Sequence, residues 1–248
     1  MAEARHDPLL RSVWLAPPRS GAGNQPAGLS RDLVVSAAVE VLDGHGLGAL
    51  SMRKLAAQLG VAPMSLYWHV PTKDALLELA LDAVHGEVAP VPAGVPWRET
   101  VPALLAGTRA LFRRHPWLAA LQGRYPNIGP RALALTESLL AALRADGMSV
   151  AEAGRAASTL TSYAVGFVVA ELKWFERVAV LETHAQELKQ EWVPRVVGLV
   201  EESFPHFADQ LRDATLWSTD TQFDYGVACV VAGIASGTGR VPGPAATP

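Results

Sequence analysis

An all-α fold is what this sequence predicts, and three observations predict it. Apolar side chains recur at spacings of three and four, which lines them along one face of a 3.6-residue helix. Val and Ile sit inside those helical patterns rather than in the two-residue alternation of a half-buried strand. The periodic segments are bounded by residues that start and stop helices. Ser51, Thr72 and Ser149 stand at cap positions, Ser30 or Arg31 near the start of the first helix, Pro63 and Pro130 at openings, Gly60 and Gly147 at ends.

The elements follow in order. Residues 1–28 are rich in Pro, Gly and Ala, with scattered Arg5, Arg11 and Arg19, and are expected to form a flexible arm. The first helix carries Leu33, Val34, Ala37, Ala38, Val41 and Leu42 on one stripe and ends among Gly44, Gly46 and Gly48. Ser51 caps a second helix, with Leu55, Ala56 and Leu59 inward and a stop at Gly60. Pro63 opens a short third helix, because the first turn needs no N–H there. Pro71 closes it by forcing Val70 out of helical geometry. Thr72 caps a fourth helix, with Asp74 in its first turn and Leu76, Leu77, Ala80, Leu81 and Val84 behind.

The Pro/Gly-rich stretch 86–96 reads as a boundary, leaving one unit over 29–85 and a larger one over 97–238. In the second unit a helix runs from about Trp97 to His115, followed by a short irregular one to Gly123. Pro130 opens another that ends at Asp146-Gly147. Ser149 and Glu152 form a capping box for a long helix reaching about Glu176. A segment from about Thr183 contains Pro194 and is expected to be kinked or broken. A last helix spans about Thr219 to Ser236, and residues 239–248 form a flexible tail.

Bulk properties narrow the function classes. Of 248 residues 50% are apolar and 18% charged, which suits a folded core. The net charge of −3 means that any nucleic-acid binding rests on a local surface. The single cysteine, Cys229, excludes an internal disulfide and a cysteine zinc cage, and fits a reducing cytoplasm. The apolar runs Tyr163–Ala170 and Val227–Ile234 are too short to span a bilayer, so the chain is expected to be soluble.

The window from Leu50 to Lys73 carries the densest chemistry. A helix, a tight turn and a second short helix with polar and aromatic tips is how a helix-turn-helix offers side chains to the major groove. Leu66 and Trp68 are expected to pack inward. Catalytic patterns are thin by comparison. Ser51 and Lys54 fit Ser-x-x-Lys, but neither Ser-Asp-Asn nor Lys-Thr-Gly accompanies them. The seven histidines are dispersed, with no His-Glu-x-x-His pair.

The segments Met52-Arg53-Lys54-Leu55-Ala56, Leu59-Gly60-Val61, Ser65-Leu66-Tyr67-Trp68-His69-Val70 and Lys73-x-Ala75-Leu76-Leu77 resemble the N-terminal domain of the tetracycline-repressor (TetR) family of bacterial transcription regulators. Beyond Pro90 the resemblance survives mainly as helix order and size. It implies that Arg53 reads guanine, that Tyr67, His69 and Lys73 contact phosphates or adjacent bases, and that Ser51, Met52 and Ser65 lie where backbone contacts are made. Pro63-Met64-Ser65 replaces the glutamine-proline-threonine that opens this helix in the tetracycline repressor. Pro63 and Met64 then offer only apolar contacts, as to thymine methyls, so a different operator is expected.

The resemblance also implies that the C-terminal unit binds a small molecule and dimerises. Trp117, Leu121, Tyr125, Tyr163, Phe167, Trp174 and Phe175 are candidates for an apolar pocket, with Gln122, Arg124 and Glu171 to orient a ligand. The positions that hold drug and magnesium in the tetracycline-binding member fall at Ala89 and near Leu121 or Gln122, and neither is histidine. An apolar or aromatic effector is expected, with no cofactor and no metal. The long and last helices match the family's dimer bundle, with Gly226, Ala228, Gly233 and Ala235 for close approach and Phe223, Val227, Val230 and Ile234 for the seam. The reading is a cytoplasmic homodimeric repressor, released from a palindromic operator by a small effector. The alternative is a small-molecule-binding or hydrolytic all-α enzyme with a vestigial helix-turn-helix.

Overall fold

The structure is a computed structural model that describes residues 12–15, 29–179, 185–213 and 218–237, with side chains 175–189 outside that description. The described elements are helical throughout: α1 Arg31–His45, α2 Met52–Gln58, α3 Pro63–His69, α4 Lys73–His85, α5 Trp97–Arg114, a 3-10 helix Pro116–Leu121, α6 Pro130–Ala145, α7 Val150–Ala179, α8 Ala185–Val200, α9 Pro205–Arg212 and α10 Thr219–Ala235.

The caps work as their chemistry requires. Ser30 Oγ accepts from Leu33 N at 3.1 Å, Ser51 Oγ from Lys54 N at 3.2 Å, and Thr72 Oγ1 from Ala75 N at 3.0 Å. Pro63 occupies the first turn of α3, and Val70 before Pro71 is extended. Gly60, between α2 and α3, holds φ 67°, a left-handed turn that a Cβ would strain. Ser149 and Glu152 bond reciprocally at the start of α7, at 2.9 and 3.2 Å.

α1 packs on α2, α3 and α4, and α7 packs against α5, α6 and α10. α4 crosses from the first group to α6 of the second, and one continuous apolar core joins the two. Several expectations change here. The linker 86–96 is anchored, because Val88 and Val91 are buried and Val91 N donates to Ser138 Oγ at 3.1 Å. The N-terminal arm contains a docked segment, since Ser12 is buried and Val13 and Trp14 pack on the core. α8 runs through Pro194 as one assigned helix, and α9, opened by Pro205, was not foreseen. The tail 239–248 lies outside the described residues.

Two residues expected at the dimer seam, Phe223 and Val227, are corrected as well. Phe223 and Val227 are buried within the protomer, and Val230 and Ile234 pack on the same core. Phe223 and Val227 thus lie on the inward stripe of α10, while Val230 and Ile234 keep part of their surface exposed. The close approach at Gly226 is also internal, because a Cβ there would fall 2.0 Å from the Tyr163 hydroxyl oxygen. Gly226→Ala is expected to destabilise the protein by about 1–3 kcal/mol through overpacking, measured by urea unfolding.

Candidate nucleic-acid interface and effector cavity

α2 and α3 present the helix-turn-helix surface. Leu55 and Ala56 hold α2 inward, which leaves Arg53 and Lys54 exposed. On α3, Leu66, His69 and Val70 turn inward at three- and four-residue spacings. The opposite face carries Pro63, Met64, Tyr67 and Trp68, with Met64 69% and Trp68 66% exposed.

Two expectations are revised by this geometry. Trp68, assigned to packing, is on the surface. One turn away from Met64, it forms an apolar patch on the outward face of α3. His69, expected at the DNA contact, is buried, and its Nε2 has no hydrogen-bond partner among the described residues. The Met52 side chain is buried, so only its backbone is available to a partner. Lys73 is exposed, but its ammonium donates to the Leu50 carbonyl at 2.7 Å and to that of Leu47 at 3.5 Å. Those bonds fasten the loop between α1 and α2 to the start of α4 and leave the ammonium's third N–H. Ser51 is committed to its cap, and Ser65 is half-buried on the first turn of α3.

In the second unit the expected pocket residues separate into two groups. Trp117 and Leu121 are buried at the junction with the first unit, where the Trp117 indole N–H donates to Asp43 of α1 at 2.7 Å. The same Asp43 oxygen lies 2.7 Å from His115 Nδ1. The Tyr125 hydroxyl donates to Asp74 of α4 at 2.5 Å, with Arg124 paired to the same carboxylate at 3.3 Å. Burial and that carboxylate raise the Tyr125 hydroxyl above its ordinary range, so it remains a donor. Gln122 is exposed beside them. This group joins the two units.

The other group surrounds a cavity of about 350 Å³ between α7, α9 and α10. Phe167, Trp174, Phe207 and Leu211 supply apolar walls, while Glu171, Gln210, Thr219 and Gln222 supply polar edges. Tyr163 stands behind Phe167, stacked on Phe223 with centroids 5.8 Å apart. The side chain of Phe175 lies outside the described residues.

Beneath the cavity is a buried ion pair that the sequence reading missed on one side. Arg109 of α5 donates through Nε and Nη2 to Glu171 at 2.9 and 2.5 Å, with side chains only 8% and 1% exposed. Its guanidinium lies over the rings of Phe223 and Phe167 at 4.9 and 5.5 Å, and it also bonds Thr219 and Asp220. Burial alone would push the Glu171 carboxyl up. The hydrogen bonds from Arg109 and Thr219 outweigh it and hold the group below its ordinary range. The signal was legible: Arg109 continues the stripe Val101, Leu105, Phe112, and Glu171 continues Leu160, Ala164, Val168. A charge on each of two inward stripes calls for a partner.

The first unit matches the family model for bacterial regulatory proteins of the tetR family over residues 34–80, and the second matches the tetracyclin repressor-like C-terminal domain over 90–237. The chain belongs to the TetR family. A relative in Saccharopolyspora erythraea, an HTH-type transcriptional regulator, is 39% identical over 234 residues, covering 92% of this chain and 93% of its own length. The HTH-type transcriptional repressor DrrR1 of Streptomyces coeruleorubidus is 39% identical over 166 residues, covering 66% and 61%. Among solved structures, the TetR-family protein ActR of Streptomyces coelicolor in complex with actinorhodin aligns with TM-score 0.72 and 29% identity, covering 86% of this chain and all of that one (100%). This TetR-family chain is thus a ligand-responsive, DNA-binding transcriptional regulator of the repressor type. Nothing in these likenesses favours the enzymatic alternative. Among the described residues no helix is long and apolar enough to cross a membrane.

Proposed function

We propose that this regulator acts as a cytoplasmic homodimer that reads a palindromic operator through Arg53 and the outward face of α3, and leaves it when a planar aromatic effector fills the cavity beside Glu171. The observation that carries the DNA reading is the exposure of Arg53 on α2 together with that of Met64, Tyr67 and Trp68 on the outward face of α3. On a chain of net charge −3 that local surface, not general basicity, supplies recognition. Arg53 has the fork for guanine O6 and N7, while Met64 and Trp68 suit thymine methyls. The N–H groups opening α4 and the remaining N–H of Lys73 suit phosphate oxygens.

The test is a titration of the purified protein with DNA from its own promoter region. Site-specific binding is expected at low salt, with affinity falling as salt rises from about 50 to 200 mM. No site-specific complex at low salt would rule the reading out.

Aromatic walls and amide or carboxylate edges favour a flat effector with hydrogen-bonding groups on one side. The likeness to a protein solved with actinorhodin supports that class. Aromatic compounds that raise the melting temperature of the native protein are expected to lose that effect in Phe207→Ala. An undiminished shift would place their site elsewhere.

Dimerisation is assigned to the outward faces of α8 and α10, where Leu199 and Tyr225 are 83% and 73% exposed, with Ala228, Cys229 and Ala232 beside Tyr225. Two linked reading heads spaced about 34 Å apart gain effective concentration over one. Tyr225→Asp is expected to yield monomers by light scattering, and a persistent dimer would refute this face.

A further inference from the structure

α4 carries carboxylates at four-residue intervals, Asp74, Glu78 and Asp82, on one face. Each is engaged by a different part of the chain. Asp74 takes Tyr125 and Arg124. Asp82 Oδ1 accepts from the backbone N–H groups of Arg131 and Ala132 at 2.9 and 3.1 Å, capping α6. Glu78, between them, is bonded by residues far upstream: the Ser12 hydroxyl donates to Oε2 and Val13 N donates to Oε1 at 3.4 Å.

The Glu78 contact has an unusual balance. Glu78 is 4% exposed, and among the described residues no cation forms an ion pair with it. A buried carboxylate without a cation is costly unless hydrogen-bond donors reach it. The donors come from Ser12 and Val13. Ser12 Oγ also accepts from Trp14 N at 3.3 Å, and Ser12 O from Leu15 N at 3.1 Å, so the segment is folded as a turn around its own hydroxyl. Val13 and Trp14 pack on the core beside it. α4 follows α3 across the two residues Pro71 and Thr72 after Val70, so what fixes α4 also fixes the angle of the DNA-reading helix.

We propose that residues Ser12–Leu15 are an intramolecular strap that holds α4 through Glu78 and thereby sets operator affinity. The strap acts on the helix that links the effector unit to the DNA-reading unit, at a height between the Tyr125 and α6 attachments. Removing it leaves a buried carboxylate without donors, which loosens α4 and spreads the orientations of α3.

Ser12→Asp, which sets two carboxylates together, tests this in the full-length protein. Hydrogen exchange of the α4 amides over 76–84 is expected to accelerate, with α7 and α10 unchanged, and binding to promoter-region DNA to weaken at least about fivefold, the low end of allosteric couplings. Adding Glu78→Gln should restore both readouts, because the amide can donate to the introduced carboxylate. Deleting residues 1–15 should reproduce the Ser12→Asp phenotype. Unchanged α4 exchange in Ser12→Asp overturns the strap. Faster exchange with unaltered DNA affinity, or failure of the double variant to recover, overturns its control of the operator. Should the native protein bind no promoter DNA, the repressor reading fails, and the exchange measurements still decide whether the strap holds α4.

Discussion

Replacing Arg109 with alanine is expected to cost about 3–5 kcal/mol of folding stability, the range for removing one member of a buried ion pair. Glu171 would be left almost wholly buried with Thr219 as its remaining described partner, and the faces of Phe167 and Phe223 would lose the cation stacked on them. Urea unfolding at neutral pH measures the loss. The pH dependence has a definite sign. The Glu171 carboxyl is held below its ordinary range in the folded protein. Its contribution is present above the unfolded carboxylate pKa and disappears as pH falls through the lowered folded value. Arg109→Ala should therefore flatten the acid limb of the stability profile. Glu78 has the opposite sign, because burial raises its pKa more than Ser12 and Val13 lower it. Its contribution is full below the unfolded value and lost as pH rises through the folded one, so Glu78→Gln should not lose stability at neutral pH. An Arg109→Ala protein as stable as the native one would show that the pair contributes nothing net.

Arg53→Ala is expected to cost about 1–3 kcal/mol of discrimination per half-site, and about twice that for a dimer reading both halves. Arg53 is exposed on α2 and its charge is free of any ion pair among the described residues, so truncation should leave the thermal unfolding unchanged. Operator variants at every position, assayed by competition, should show relaxed preference at one base pair per half-site. Uniform weakening across all positions would instead make Arg53 a phosphate contact. Trp68→Ala supplies the contrast. Its loss removes apolar contact area and is expected to fall on positions that carry a thymine methyl.

Much of the fold was legible because its signals are local. Ser51 and Thr72 cap helices by accepting from N–H groups of the first turns that follow them, and Pro63 and Pro71 act on their neighbours' backbone angles. The Ser149–Glu152 box needs nothing beyond four consecutive residues. α9 was less visible, since only Pro205 at its start marked eight residues between two longer helices. The face of α3 was misjudged at two adjacent positions for one reason. Trp68 is large and apolar and His69 polar, yet a helix exposes by angle, and the angle set by Leu66 and Val70 turns His69 in and Trp68 out.

The sequence by itself determined the helical class, the order of the longer helices and the helix-turn-helix of α2 and α3. Periodicity, caps and proline act over a few residues, so the order of letters contains them. Only the tertiary structure decided which inward charges meet, that Trp117 and Tyr125 fasten the two units while Phe167 and Trp174 line the cavity, and that Phe223 and Val227 belong to the protomer core rather than to a dimer seam. It alone brought Ser12 to Glu78. These outcomes depend on helix crossing and on which of two apolar stripes finds cover first, and partners 60 or more residues apart, such as Arg109 with Glu171 and Ser12 with Glu78, leave no mark of their pairing in local sequence.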